Sequence, residues 1–374
     1  MNKYVLLLAM VLGLQNQSVL LAEEPGDERI SARIESEREE LKKNPSDKGD
    51  SSDDKDGDVK KSPRIPLDVL LESDTRVRFK GDDEDVAQMF KMRFAYDLKE
   101  GQWVILGTVR TGESFNMAHD SVYDLNENDF SSPNVNMTHL YLRGYDVALS
   151  GDVLEVGSVP TSQGIAEATA LSPEGYIDGV RYKVRTALGD LQVVGGSLVN
   201  DADPNMFDRE RELNYIEVRF NRHFLDVLAA EELEVQAGIQ VQDDDVYFSQ
   251  AVRATYQIYG GRILDLIQEG MVMDNGEFKA SVGVDFDLIN LITGWDTNPI
   301  GLRVNLKHTY QSDEMGSLGS SMGDYWYDSP GHSTSLELYK DFQIRENMYI
   351  DVGARQRWGD QDATEVFVRL SISF

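Results

Sequence analysis

Basic side chains recur at every second position along several stretches of this chain. Arg76 and Arg78, Lys91 and Arg93, Arg181, Lys183 and Arg185, and Arg355 and Arg357 form such series. Arg110, Arg143, Arg219, Arg253 and Arg303 stand singly among apolar neighbours. Fixed cationic groups that share one face and surround a passage set its ion preference. Two acids of opposite use, Glu167 and Glu174, lie in the polar stretch 160–176. A loop carrying them across such a passage would narrow it against the basic wall, and Arg93, Arg143, Arg181 and Arg185 are the wall residues expected to face it. The wall alone predicts anion preference; acidic loops alone predict cation attraction at the mouth. For each single base the competing reading is a lumen group that is merely solvated or paired to a neighbouring strand.

Catalysis finds little support. A nucleophilic site needs Ser, Cys or an acid held beside His. The chain has no cysteine and five histidines. His119-Asp120-Ser121 sits in a long loop, and His308 shares the parity of Leu302, Val304 and Leu306, so it is expected to face outward beside Tyr310. His139, His223 and His332 have no matching partner in sequence. No catalytic residue, metal or cofactor is assigned: there is no Gly-rich phosphate loop and no metal-ligand His pair. The clusters Gly81–Asp85, Gln242–Asp245 and Gly359–Asp362 offer oxygen ligands for Ca²⁺ or Mg²⁺, but none has calcium-loop spacing, and solvated acidic tips are the preferred reading.

The elements that must position these bases are strands, because only a strand repeats every second residue. Phe90, Met92, Phe94, Tyr96 and Leu98 alternate with Lys91, Arg93 and Asp97. Val366, Val368, Leu370, Ile372 and Phe374 alternate with Glu365, Phe367, Arg369, Ser371 and Ser373. One face is apolar and the other mostly polar, as when lipid lies on one side and water on the other. A base on the lipid face would cost about 2–4 kcal/mol at the midplane. Alternation therefore turns all these bases, with Lys307 and Arg369, into a lumen. No stretch has the roughly 18 apolar residues of a membrane helix, so a membrane form must be a closed antiparallel barrel.

Period-two patterning from Asp74 onward divides into about sixteen strands, with eighteen as the alternative. The first are expected over 74–81 and 88–98. Tight links at Lys99–Gly101, Ser150-Gly151, Leu188-Gly189 and Gly260-Gly261 fall on one parity, and long links near 113–136, 160–176, 201–212 and 312–332 on the other. That is the asymmetry of short periplasmic turns and longer outer loops. The link Asp287–Asn298 is an unexplained exception.

Ahead of the barrel, Asn2-Lys3, the apolar Tyr4–Leu14 and Leu20-Leu21-Ala22 before Glu23 read as a secretory signal over 1–22. Residues 23–65 read as a charged periplasmic linker, with a short solvated helix possible over Ser31–Lys43 and a low-complexity tract at Asp47–Lys61. Residues 66–374 are the barrel. The net charge of −30 argues against nucleic acid as a partner.

Three segments carry a resemblance. Asp74–Phe79, Met89–Phe94 and Trp103–Gly112, with Asp178–Tyr182 after Pro173-Glu174-Gly175, resemble the opening hairpins of a bacterial family of general-porin-like outer-membrane barrels. The likeness covers roughly 74–200, and the rest by strand rhythm and the terminal aromatic Phe374, which resembles the barrel-assembly signal. The resemblance implies a diffusion channel for small hydrophilic solutes and ions in the cell outer membrane. It also implies a homotrimer, contact with lipopolysaccharide and folding by the barrel-assembly machinery. The rival readings are a substrate-selective anion channel, a non-conducting structural or tethering barrel, and, least favoured, a barrel enzyme.

Overall fold

The computed structural model describes residues 67–374, apart from 81–82, 99–101, 113, 116, 126, 128, 163, 199–203, 228–229, 259–261, 288–301, 316–325, 328–329, 346 and 360–361. The expected signal, the linker, the exceptional link after Asp287, and the turns at Lys99–Gly101 and Gly260-Gly261 lie outside the described residues or mostly so.

Among the described residues eighteen strands follow one another. They are β1 (Leu67–Lys80), β2 (Asp83–Asp97), β3 (Trp103–Thr111), β4 (Asp120–Asp124), β5 (Asp129–Phe130), β6 (Val135–Tyr145), β7 (Val153–Pro160), β8 (Tyr176–Thr186) and β9 (Gly189–Ser197). The second half holds β10 (Tyr215–Val227), β11 (Ala230–Gln242), β12 (Asp245–Ile258), β13 (Arg262–Met273), β14 (Phe278–Asp287), β15 (Arg303–Gln311), β16 (Gly331–Arg345), β17 (Met348–Gly359) and β18 (Ala363–Ser373). Strands β4 and β5 form a small hairpin in the second outer loop, where β4 adds to the outer end of β2. Removing that pair from the eighteen leaves sixteen in the wall, each antiparallel to its neighbours. The ring closes where β1 pairs β18, from Leu70↔Ser373 to Lys80↔Ala363. Phe374 extends this seam: its N–H donates to the Val69 carbonyl at 2.8 Å, and Val69 N–H donates back at 3.3 Å. Among the described residues closure leaves no wall strand without a partner on each side, as an unpaired edge would be penalised by lipid.

Burial in this fold is inverted, and the inversion follows from the sequence alternation. The large exposed side chains include Phe90, Leu98, Phe248, Val282, Val366 and Val368, all on the outer face. The least accessible side chains include Asp74, Glu155, Glu269, Arg110 and Lys307, all on the inner face. An apolar exterior around an ionised interior is the reverse of a water-soluble domain and matches a bilayer as external solvent. Among the described residues no helix is long and apolar enough to cross a membrane; the crossing elements are strands. The two opening strands reach further than expected, β1 starting at Leu67 and β2 at Asp83. Leu67 and Leu71 continue the outward parity, but acidic Asp68, Glu72 and Asp83–Asp85 hide the pattern by composition.

Periplasmic links are tight where described. In the turn after β6, Asp152 accepts hydrogen bonds from the N–H groups of Val147, Ala148 and Leu149 at 2.6–2.9 Å. Gly151 adopts φ 82° there, a left-handed conformation that glycine takes without strain. Four outer links, after β3, β7, β9 and β15, are long, while those after β1, β11, β13 and β17 are two to four residues. Phe115 and Leu171 from two of the long links pack with Tyr176, Leu198, Tyr215 and Met315 in one apolar cluster at the outer end of the bore.

Candidate channel interior

The third outer loop, residues 161–175 between β7 and β8, crosses the bore. Its path is fixed by polar anchors from the opposite wall. Ile165 N–H donates to Gln236 Oε1 on β11 at 3.0 Å. Glu167 N–H and Thr169 N–H both donate to Glu269 Oε2 on β13 at 3.0 Å. Lys307 on β15 donates to the Glu167 carboxylate and, at 3.3 Å, to Glu269 Oε1. Beyond the crossing, Ala168 packs against Trp326 and Tyr327 of the last long loop and Ala363 of β18.

The root of the same loop is latched to the near wall. Glu174 Oε1 accepts from Lys91 Nζ at 2.7 Å, and Oε2 accepts from Arg110 Nη1 at 2.9 Å. Burial alone would push the Glu174 carboxyl up; Lys91 and Arg110 beside it hold it well below the usual carboxylate range. For Glu167 the ammonium of Lys307 is the largest influence and lowers it against the opposing effect of burial. Both acids are therefore ionised at neutral pH, each facing a buried cation while part of its own side chain remains open to solvent.

The bases that meet the loop root differ from most of those expected: Glu174 pairs with Lys91 and Arg110, not with Arg143, Arg181 or Arg185. Arg143 and Arg181 share Glu155 at 2.8 and 2.9 Å. Arg185 meets Asp190 at 3.5 Å near the periplasmic end; Arg93 lies 3.5 Å from Glu72 and, as expected, also acts electrostatically on Glu174. Cross-strand neighbours sit closer than loop residues to most wall positions, so the nearest acid on the sheet wins.

Acids stand beside most of these bases. Arg76 bonds Asp74 and Glu365 at 3.0 and 3.2 Å, and Arg355 lies 3.4 Å from the same Glu365. Arg78 pairs Asp85, Arg253 pairs Glu234, Arg219 pairs Glu217 at 2.9 Å, and Arg303 pairs Asp285 at 3.2 Å. Arg357 donates to the Trp326 carbonyl at 3.1 Å and, like Arg355, stacks its cation on the Trp326 ring. Lys183 is buried on the same inner face beside Glu155. A single charge in a confined bore is costly, and a partner of opposite sign offsets that cost.

Accessibility differs among the inner-face bases. Arg110, Arg181 and Lys307, at the level of the crossing loop, are almost inaccessible. Arg185 and Arg303, nearer the periplasm, have 40% and 47% of their side chains exposed.

Several residues carry weight without having been expected. Gln236 and Glu269 are inward by parity, but nothing in sequence marks them as loop anchors. Arg209, from the loop after β9, lies 3.3 Å over the Tyr176 ring and donates to Ser158 and Asp178 at 2.8 and 3.0 Å. The triplet His119-Asp120-Ser121 is split: Ser121 donates to Asp85, while His119 lies 3.1 Å from Asp74. Burial pushes His119 down to about 4, so at neutral pH it meets Asp74 as an uncharged ring. His223 does have partners, Glu232 and Glu234. His308 is exposed on the outer face, as expected, in ring contact with His332, which also packs against Tyr310.

No family model matches the chain, and no curated protein matches it in sequence. Solved structures do. OprB of Pseudomonas putida, in its low-pH structure, shares 11% identity over 83% of this chain and 93% of its own, with a TM-score of 0.50. The outer membrane protein opdK from Pseudomonas aeruginosa shares 11% identity over 82% of this chain and 99% of its own, also with a TM-score of 0.50. At that identity the likeness is one of architecture, and the chain has the fold of bacterial outer-membrane porin barrels.

Proposed function

We propose that this chain is an outer-membrane channel for passive diffusion of ions and small hydrophilic solutes. The observation that carries the reading is the third outer loop, folded into an ionised bore and anchored on both sides. A structural barrel has no need of a loop laid across its interior and held by Glu174–Lys91, Glu174–Arg110 and Glu167–Lys307. Hydration of the bore is supported by Arg110 Nε, Arg181 Nε, Gln192 Nε2 and Gln240 Oε1, which are buried with no protein hydrogen-bond partner. Such groups are satisfied by water in folded proteins.

The mixed-sign wall favours weak ion selectivity over a strongly anion-selective pore, and the near-inaccessible bases at the loop favour a small bore. Residues 1–22 act as an export signal in this reading and residues 23–65 as a periplasmic linker. Phe374 serves as the assembly signal read by the barrel-assembly machinery, and three chains associate in a lipopolysaccharide-containing outer leaflet.

Liposome swelling tests the solute claim. Vesicles carrying the folded protein should swell in isosmotic solutions of a pentose or small amino acid and much more slowly with a disaccharide. Vesicles that swell with none of these, while the protein shows full strand content by circular dichroism, would reject diffusion and favour the non-conducting barrel.

A further inference from the structure

The cluster His223, Glu232 and Glu234 lies inside the barrel, below the crossing loop. Register explains how it forms. His223 on β10 pairs directly with Glu234 on β11, and Leu225 pairs with Glu232. Alternation turns His223, Glu232 and Glu234 to the same inner face. His223 Nδ1 lies 2.8 Å from Glu232 Oε1 and 3.2 Å from Glu234 Oε1, and one ligand atom from each residue falls within 4.8 Å of the others.

We propose that this cluster is a binding site for a divalent transition cation such as Zn²⁺, held by one imidazole nitrogen and two carboxylate oxygens. A tetrahedral ion with bonds of about 2.0 Å keeps its ligand atoms about 3.3 Å apart, close to the separations between His223 and each carboxylate. A single nitrogen placed between two carboxylates can give one proton to one of them fully, whereas a cation satisfies both at once. The donor set, one nitrogen and two oxygens, suits Zn²⁺, Mn²⁺ or Ni²⁺ better than the all-oxygen preference of Ca²⁺. Arg253 stands beside the site and its charge opposes a cation, but it bonds Glu234 Oε2 and leaves Oε1 to His223. Asp190 on β9 also interacts electrostatically with His223, with Arg185 as its own partner. Glu234 is 4% exposed and Glu232 32%, so one ligand is fixed while the other meets the lumen. An ion there keeps coordination positions open to water.

The test is calorimetric titration of Zn²⁺ into folded, untagged, EDTA-washed protein, with Glu232→Gln and His223→Gln as variants. Strand content by circular dichroism establishes that each variant folds. One Zn²⁺ per chain is expected, with affinity reduced at least about tenfold in either variant. Mn²⁺ bound to the wild type should show nitrogen hyperfine coupling from the imidazole, absent in His223→Gln. Wild-type protein that takes up no Zn²⁺, or folded variants that bind within threefold of wild type, would overturn the site. Both readouts are independent of conduction, so neither outcome bears on the channel reading.

Discussion

Replacing Glu174 with Gln is the sharpest perturbation of the loop latch. The substitution keeps size and one oxygen but removes the charge facing Lys91 at 2.7 Å and Arg110 at 2.9 Å. Removing one member of a buried pair costs about 3–5 kcal/mol, because the partner is left charged and unpaired. Here the cost is smaller: 25% of the Glu174 side chain is exposed, so water screens the stranded cations, and the amide oxygen still accepts one hydrogen bond. About 2 kcal/mol is a fair figure after that discount, which multiplies the released population of the loop root roughly thirtyfold. The barrel should remain intact, since its wall hydrogen bonds do not involve Glu174. Single-channel recordings of Glu174→Gln should show larger or noisier open levels than wild type, and proteases added from the outer side should cut within 161–175 faster. A Lys91→Met, Glu174→Gln double variant should lose less than the sum of the singles, by about 1–2 kcal/mol of coupling. Identical conductance, noise and proteolysis in Glu174→Gln would refute the latch.

Three further outcomes follow from the same geometry. Glu269→Ala removes the oxygen that accepts both Glu167 and Thr169 N–H groups, so the loop tip should loosen by about 2–3 kcal/mol, read as faster amide hydrogen exchange at residues 165–170. The pH response has a definite sign. Glu167 and Glu174 are held below their ordinary values, so their contribution is fully present above the unfolded carboxylate pKa of about 4.3 and is lost as pH falls through the lowered folded values. Conductance noise should therefore be flat from about pH 7 to about pH 5 and rise only in stronger acid; a rise already near pH 6 would contradict the assignment. Deleting Phe374 removes the two main-chain hydrogen bonds to Val69 at the closing seam, and the yield of folded barrel in the outer membrane should fall several-fold, measured against total synthesised chain.

Much of this architecture is legible in the sequence because a barrel wall is a one-dimensional pattern. Each strand obeys period two, and lipid penalises errors of parity directly, so Phe90 and Lys91 reveal their faces without any knowledge of neighbours. The alternation of short and long links likewise gave inner and outer ends. Partners were not legible, for a physical reason. Parity says that Arg143, Glu155 and Arg181 all point inward, but only the register between β6, β7 and β8 brings the two guanidiniums onto one carboxylate. Parity places acids such as Glu155 and Glu365 on the same face as the bases, but leaves their pairing open. The loop anchors were hidden in the same way: Glu269 shares its parity with Ile267 and Met271, and nothing local says that a segment about 100 residues earlier will reach it. His223 lacked a partner in sequence because Glu232 and Glu234 lie on the next strand. Their approach depends on the hairpin register, which parity leaves open.

Conduction through the bore is what the channel reading depends on. Single-channel recording of the purified, folded protein in a planar bilayer under a KCl gradient tests it most directly. Discrete steps are expected, with a reversal potential close to zero, reflecting the mixed-sign wall, and a shift in step size when Glu174 is neutralised. Folded protein that inserts and yields no steps would contradict the channel reading.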